Sequence, residues 1–249
     1  FYDNQKLDYA LECYQLMTDA NPSANFYNQI ATIYGEKGEI EKMFNTFLDM
    51  LSKQNSDLAS IQRFMGRFLT EDDNGNNNVL LRKILVSRIQ TEPRPEWFKM
   101  LSWLYIQQKE YNKALVQEKA LFKQNNIDLS GVIDLGKIAF DDLDYTTCLD
   151  AFNFVLSQQT EIDNQIIAHY YIVESKKKMG TPIEEIASNY EQFFNQFGYG
   201  KNTLKMQTSF AHFLTFMKNK PEEAISLLQK TLDNNLDAFS KAEVKIQMA

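Results

Sequence analysis

Apolar residues recur along this chain at intervals of three and four, in runs several helical turns long, broken by short polar stretches. Ala10, Tyr14 and Met17 stand at i, i+4 and i+7 and give way at Asn21-Pro22. Such spacing lines one face of an α-helix, so a helix is predicted over Lys6 to Ala20. Tyr27, Ile30, Ala31 and Tyr34 make the next face, with Ser23 as its candidate cap. Lys37-Gly38-Glu39 then turns the chain into a helix carrying Ile40, Met43, Phe47 and Met50. Met43 occupies a slot where a small residue would let two helices approach, so local widening of that pair is expected. Ile61, Phe64, Met65 and Phe68 predict a helix over Leu58 to Thr70; Leu80, Leu81, Ile84, Leu85 and Ile89 predict another over Val79 to Thr91. The intervening Glu71-Asp72-Asp73-Asn74-Gly75-Asn76-Asn77-Asn78 has no apolar side chain to bury and predicts a mobile loop. It fails as a calcium loop: with Gly75 sixth, Thr70 would be first and Leu81 twelfth, where a bidentate glutamate is needed.

The stretch from Trp97 to Leu156 repeats itself. Leu101 aligns with Leu135, Tyr105 with Ala139, Tyr111 with Tyr145, Ala114 with Cys148 and Leu121 with Val155, each 34 residues apart by subtraction. Each copy reads as two amphipathic helices around a short turn, with Glu110 and Asp144 placed to favour the positive N-terminus of the second helix. This resembles the tetratricopeptide repeat, whose period is about 34 residues. Weaker copies extend the register over nearly the whole chain. A fifth has a first helix lengthened to Glu161–Met179, then Gly180-Thr181-Pro182, with Thr181 as cap and Pro182 at the first helical position. A sixth joins Leu204, Phe210, Ala211 and Leu214 to Ala224, Leu227, Leu228 and Leu232 through Asn219-Lys220-Pro221. A final helix from about Asp237 carries Phe239, Ala242, Ile246 and Ala249.

The expected architecture is all-α: a single solenoid over residues 1–249, of about six antiparallel helix pairs, with a degenerate repeat at 57–93 and partial repeats at both ends. Uncapped ends imply a native chain that continues beyond them. The resemblance implies a right-handed α-α superhelix with first helices lining a concave groove. It implies close helix approach at Ala31, Ser102, Gly136 and Ala114, and core roles for Tyr14, Tyr34, Phe47, Tyr105, Tyr111, Tyr145 and Phe152. By the same register the groove presents Asn25, Asn28 and Thr32, then Lys99, Trp103 and Ile106, then Ile133, Lys137 and Phe140. Amides there suit a peptide backbone; Trp103 and Phe140 suit anchoring. The ordered Lys, Asn and Arg clamp with which some family members hold a C-terminal carboxylate is absent.

Composition narrows the functional classes. Nine glycines and five prolines are few breakers for 249 residues, in keeping with helices throughout. A net charge of -7 repels nucleic acid and anionic lipid, so no nucleic-acid partner is expected. Lys176-Lys177-Lys178 reads as a solvated helix end, where cations complement the dipole. No apolar run is long enough to span a bilayer. Cys13 and Cys148 lie several repeats apart and cannot bridge; Cys148 takes the small-residue slot of Ala114. His169 and His212 have no metal-ligand pattern around them, and Gly198-Tyr199-Gly200-Lys201-Asn202-Thr203 lacks the spacing of a phosphate loop, so it reads as a turn between repeats. Neither a catalytic residue nor a metal nor a cofactor is expected. The predicted function is a non-catalytic scaffold binding a protein or peptide in its groove. The alternative is a sensor or assembly region of a larger chain, a signalling enzyme or envelope complex subunit.

Overall fold

A computed structural model describes residues 2–21, 26–54, 57–72, 74–125, 128–233 and 236–248. The chain divides into two compact units, Phe1–Asn126 and Ile127–Ala249. The first holds α1 (Tyr2–Ala20), α2 (Tyr27–Glu36), α3 (Ile40–Gln54), α4 (Leu58–Gly66), α5 (Asn76–Thr91), α6 (Pro95–Gln107) and α7 (Tyr111–Asn125). The second holds α8 (Ser130–Asp141), α9 (Tyr145–Ser157), α10 (Ile162–Lys178), α11 (Ile183–Phe197), α12 (Leu204–Phe216), α13 (Pro221–Leu232) and α14 (Ala238–Met248), with a 3-10 turn at Lys201–Thr203. Among the described residues there is no strand. The fold is an all-α repeat of helix pairs.

Four of the pairs are joined by one backbone turn written in different residues. After α2, Gly38 takes φ 73°; after α6, Lys109 takes 56°; after α8, Leu143 takes 67°; after α10, Gly180 takes 71°. In each, two backbone bonds close the helix end: Glu39 N–H to Tyr34 C=O at 2.9 Å with Gly38 to Gly35 at 3.0 Å, and Glu110 to Tyr105 at 2.9 Å with Lys109 to Ile106 at 3.0 Å. Asp144 to Ala139 at 2.8 Å and Thr181 to Lys176 at 3.0 Å repeat the longer bond. This is the Schellman arrangement, which satisfies carbonyls the helix leaves without partners and reverses the chain within three residues. Asp144 then caps α9, its carboxylate accepting from Thr147 N–H at 3.0 Å. At α11 the expected order is shifted by one: Pro182 is the N-cap residue and the helix starts at Ile183.

Close packing of the pairs rests on small residues. Ala31, Ser102 and Ala114 are buried. A Cβ at Gly136 would lie 2.8 Å from Phe152 Cε2 and 3.1 Å from Ala151 Cβ, so only glycine lets α8 sit this close to α9. Room for Met43 is made on the opposite helix. A Cβ at Gly35 would stand 2.9 Å from Met43 Sδ, so the small residue of that pair lies on α2.

The degenerate region differs from its neighbours. α4 and α5 pack on α3 and α6 rather than closely on each other. Asp57 caps α4, accepting from Ala59 and Ser60 N–H at 3.2 and 3.1 Å. The polar stretch predicted as a mobile loop is instead partly helix and internally bonded: α5 starts at Asn76, and Asn78 is 1% exposed. Its amide donates to the carbonyls of Thr70 at 2.8 Å and Asp72 at 2.6 Å and accepts from Thr70 N–H at 3.3 Å, while Asn77 donates to Phe68 C=O at 2.9 Å. Asparagine amides supply the partners that a hairpin turn would have supplied from backbone. Arg88 ties α5 to α3, reaching Asp49 at 2.7 Å and Asn45 Oδ1 at 3.0 Å, and its guanidinium lies 5.1 Å from the centre of the Trp97 ring. α10, with 17 residues against 12 in α8, has the extra turn expected of it.

Candidate functional site

In the first unit, α2 places Asn28 and Thr32 four residues apart and exposed, with the Thr32 hydroxyl donating to Asn28 C=O at 2.8 Å. Asn25 lies outside the described residues. On α6, Lys99 is exposed and Trp103 and Ile106 are half-buried. Trp103 leans on α4: a Cβ at Gly66 would meet its Cζ2 at 3.6 Å. In the second unit Ile133 is buried, Lys137 pairs with Asp134 at 3.1 Å, and the Phe140 ring meets Tyr145 and Tyr171 edge-on at 5.5 and 5.3 Å. Of the three α8 candidates Ile133 is thus buried, while Lys137 and Phe140 are half-buried.

Thr32 borders a cleft of about 310 Å³ that the sequence pattern did not single out. Its other lining residues are Gly35, Glu36, Met43, Phe47, Phe64, Arg67 and Phe68. Phe64, about one-third exposed, stacks on Phe47 with centroids 5.8 Å apart, and the Arg67 guanidinium stands 5.3 Å from the Phe64 ring centre. Phe64 and Phe68 were legible as an apolar face of α4. What was not legible is that α4 lacks a close partner in α5, so that face remains partly open. An apolar floor with one guanidinium and one carboxylate at its edge can hold a hydrophobic side chain and orient the polar backbone attached to it.

The second unit carries a polar cleft of about 390 Å³ on α10, α12 and α14. At its base Lys177 Nζ donates to Glu174 at 2.8 Å and Ser209 bonds both Glu174 and the buried Tyr190 hydroxyl. Burial and then the positive charge of Lys177 hold the His212 imidazole below its ordinary pKa. His169 lies against Phe193 and Phe197, and burial lowers its pKa as well. Cys148 is buried, accepts from Ser175 Oγ at 3.2 Å, and its thiol is pushed up to about 11 by desolvation. Cys13 is exposed on α1. Among the described residues, no cluster of three His, Cys, Asp or Glu side chains could hold a metal, and no helix is long and apolar enough to cross a membrane.

The Gly198–Thr203 segment is a pinned turn. Thr203 Oγ1 accepts from Gly200 N–H at 3.0 Å, Gln207 Nε2 donates to Gly200 C=O at 2.8 Å, and Thr231 Oγ1 donates to Gln207 Oε1 at 2.8 Å. The amides of Gly198, Gly200 and Thr203 are used internally, as expected of a connection between repeats.

Solved structures similar to this chain include a tetratricopeptide repeat protein. That protein, from Parabacteroides merdae ATCC 43184, is 15% identical over 100% of this chain and 95% of its own, with a TM-score of 0.40. The Cut9-Hcn1 hetero-tetramer of APC/C is 13% identical over 98% of this chain and 53% of that one, also at 0.40. No family model and no curated protein matches the sequence. The architecture described above rests on this chain's own helix pairs and turns.

Proposed function

We propose that the chain is a non-catalytic scaffold whose first-helix faces hold a protein or peptide. The observation that carries this reading is the cleft bounded by α2, α3 and α4, beside the exposed Asn28 and Thr32. Phe47, Phe64 and Phe68 would receive an apolar anchor, Met43 would adapt to its shape, and Asn28 and Thr32 would bond the backbone that carries it. On α6, Lys99, Trp103 and Ile106 continue the candidate face. On α8 of the second unit, Ile133, Lys137 and Phe140 form the corresponding row, with Lys137 and Phe140 half-buried and Ile133 buried.

Site-specific photo-crosslinking tests the reading. A crosslinker at Asn28 should trap a discrete partner, and one at Val116, exposed on α7, should not. Phe64→Asp should abolish the Asn28 crosslink with the helical circular dichroism signal unchanged. Equal trapping at both positions, or a crosslink that survives Phe64→Asp, would sink it.

A further inference from the structure

Of the three consecutive lysines at the end of α10, two are already engaged. Lys176 bonds Asn189 at 2.8 Å and pairs with Glu185 at 2.9 Å; Lys177 pairs with Glu174, their side chains only 10% and 14% exposed. Lys178 remains. It lines the polar cleft with Lys205 of α12, and among the described residues neither makes an ion pair. Three lysines against one glutamate leave two net positive charges in one concavity of a chain whose net charge is -7. The base is held in place by the Glu174, Lys177, Ser209 and Tyr190 network, and His212 and Gln247 add neutral donors around it.

We propose that this cleft binds the phosphomonoester group of a phosphorylated peptide. The proposal rests on the scaffold reading above and gives that scaffold a second, chemically distinct contact. A phosphomonoester carries about -1.5 to -2 charges near neutral pH and matches the two unneutralised lysines, whereas one carboxylate would leave a positive charge over. Its three terminal oxygens can use donors arriving from α10, α12 and α14, whereas a planar carboxylate offers two oxygens in one plane. Tyr170 and Met217 in the wall give the carbon framework bearing the phosphate something to pack on. An anionic membrane surface would meet the repulsion of the whole chain, while a short segment bearing one phosphate meets only the local field.

The chain has two histidines, so proton NMR reads the site directly. Titration with a phosphoserine pentapeptide should shift the His212 ring signal saturably and leave His169 in place. The same peptide with glutamate for phosphoserine should bind at least about tenfold more weakly, and Lys178→Ala with Lys205→Ala should weaken the phosphopeptide by at least about tenfold at unchanged helicity. Inorganic phosphate should bind more weakly than the phosphopeptide, and vesicles containing phosphatidic acid should not bind. The assignment fails if glutamate and phosphoserine peptides bind alike, if His212 does not respond, or if the double variant binds normally. Phosphate alone matching the peptide, or binding confined to vesicles, would also overturn it. Because the probe is a defined peptide read at His212, failure here is distinct from loss of the crosslink at Asn28.

Discussion

Two neighbouring stretches of the first unit solve the same problem differently. α6 and α7 are joined by three residues, closed by backbone bonds, and pack intimately along their length. α4 and α5 are joined by Arg67 to Gly75, closed by asparagine side chains, and pack outward onto α3 and α6. A tight hairpin buries the apolar stripe of each helix against the other and leaves little to bind with. A splayed pair is held by its neighbours, and its partly covered aromatic face becomes one wall of a cleft. Irregularity in a repeat thus opens a cleft without giving up the array.

The largest expected effect tests how far α6 is the fixed point of this arrangement. Leu104 on α6 is fully buried, and Leu104→Ala should cost about 2 to 5 kcal/mol in urea unfolding. A loss near zero would mean that α6 is not the anchor on which the splayed pair depends. Next, Asn78→Ala removes three bonds from the α4 to α5 connection and should cost about 2 kcal/mol, with faster amide exchange over residues 70–78. If stability and exchange were unchanged, the asparagines would not be replacing a turn. The turns themselves predict opposite signs. Gly38→Ala should destabilise by about 1 kcal/mol, because φ 73° crowds its Cβ, and Lys109→Gly should stabilise by about 0.5 kcal/mol at φ 56°. Equal signs in the two melts would contradict a shared backbone turn. Smallest of all, Arg67→Ala should shift stability by less than about 0.5 kcal/mol, since the guanidinium is exposed above the Phe64 ring, while weakening capture by the neighbouring cleft.

Much of the fold was legible because helical periodicity is a local property. The faces of α3, α6, α8, α12 and α13 fall where apolar spacing put them, and Gly38 and Gly180 mark turns because glycine tolerates positive φ. The same turn at Lys109 and Leu143 carries no composition signal, and only the 34-residue offset between these two residues connects them. The stretch from Glu71 to Asn78 was misread for a related reason. Polar composition reports the absence of apolar burial, but Asn78 is buried by bonding backbone eight residues away, which no local pattern encodes.

The sequence alone determined that this chain is helical, that its helices come in repeating pairs, and most of the apolar stripes; at α14 the stripe expected through Phe239 and Ile246 is exposed and Val244 is buried instead. These follow from 3.6-residue periodicity and small-residue slots, both readable along a line. Tertiary structure decided what those stripes meet. It put Phe140 among Tyr145 and Tyr171, leaned Trp103 over Gly66, and opened Phe64 beside Arg67. It also paired Lys176 with Glu185 of the next helix while leaving Lys178 and Lys205 in one cleft. Burial and the packing of one helix on another are properties of neighbours brought together from distant positions, so the clefts, unlike the helices, are visible only once the chain has folded.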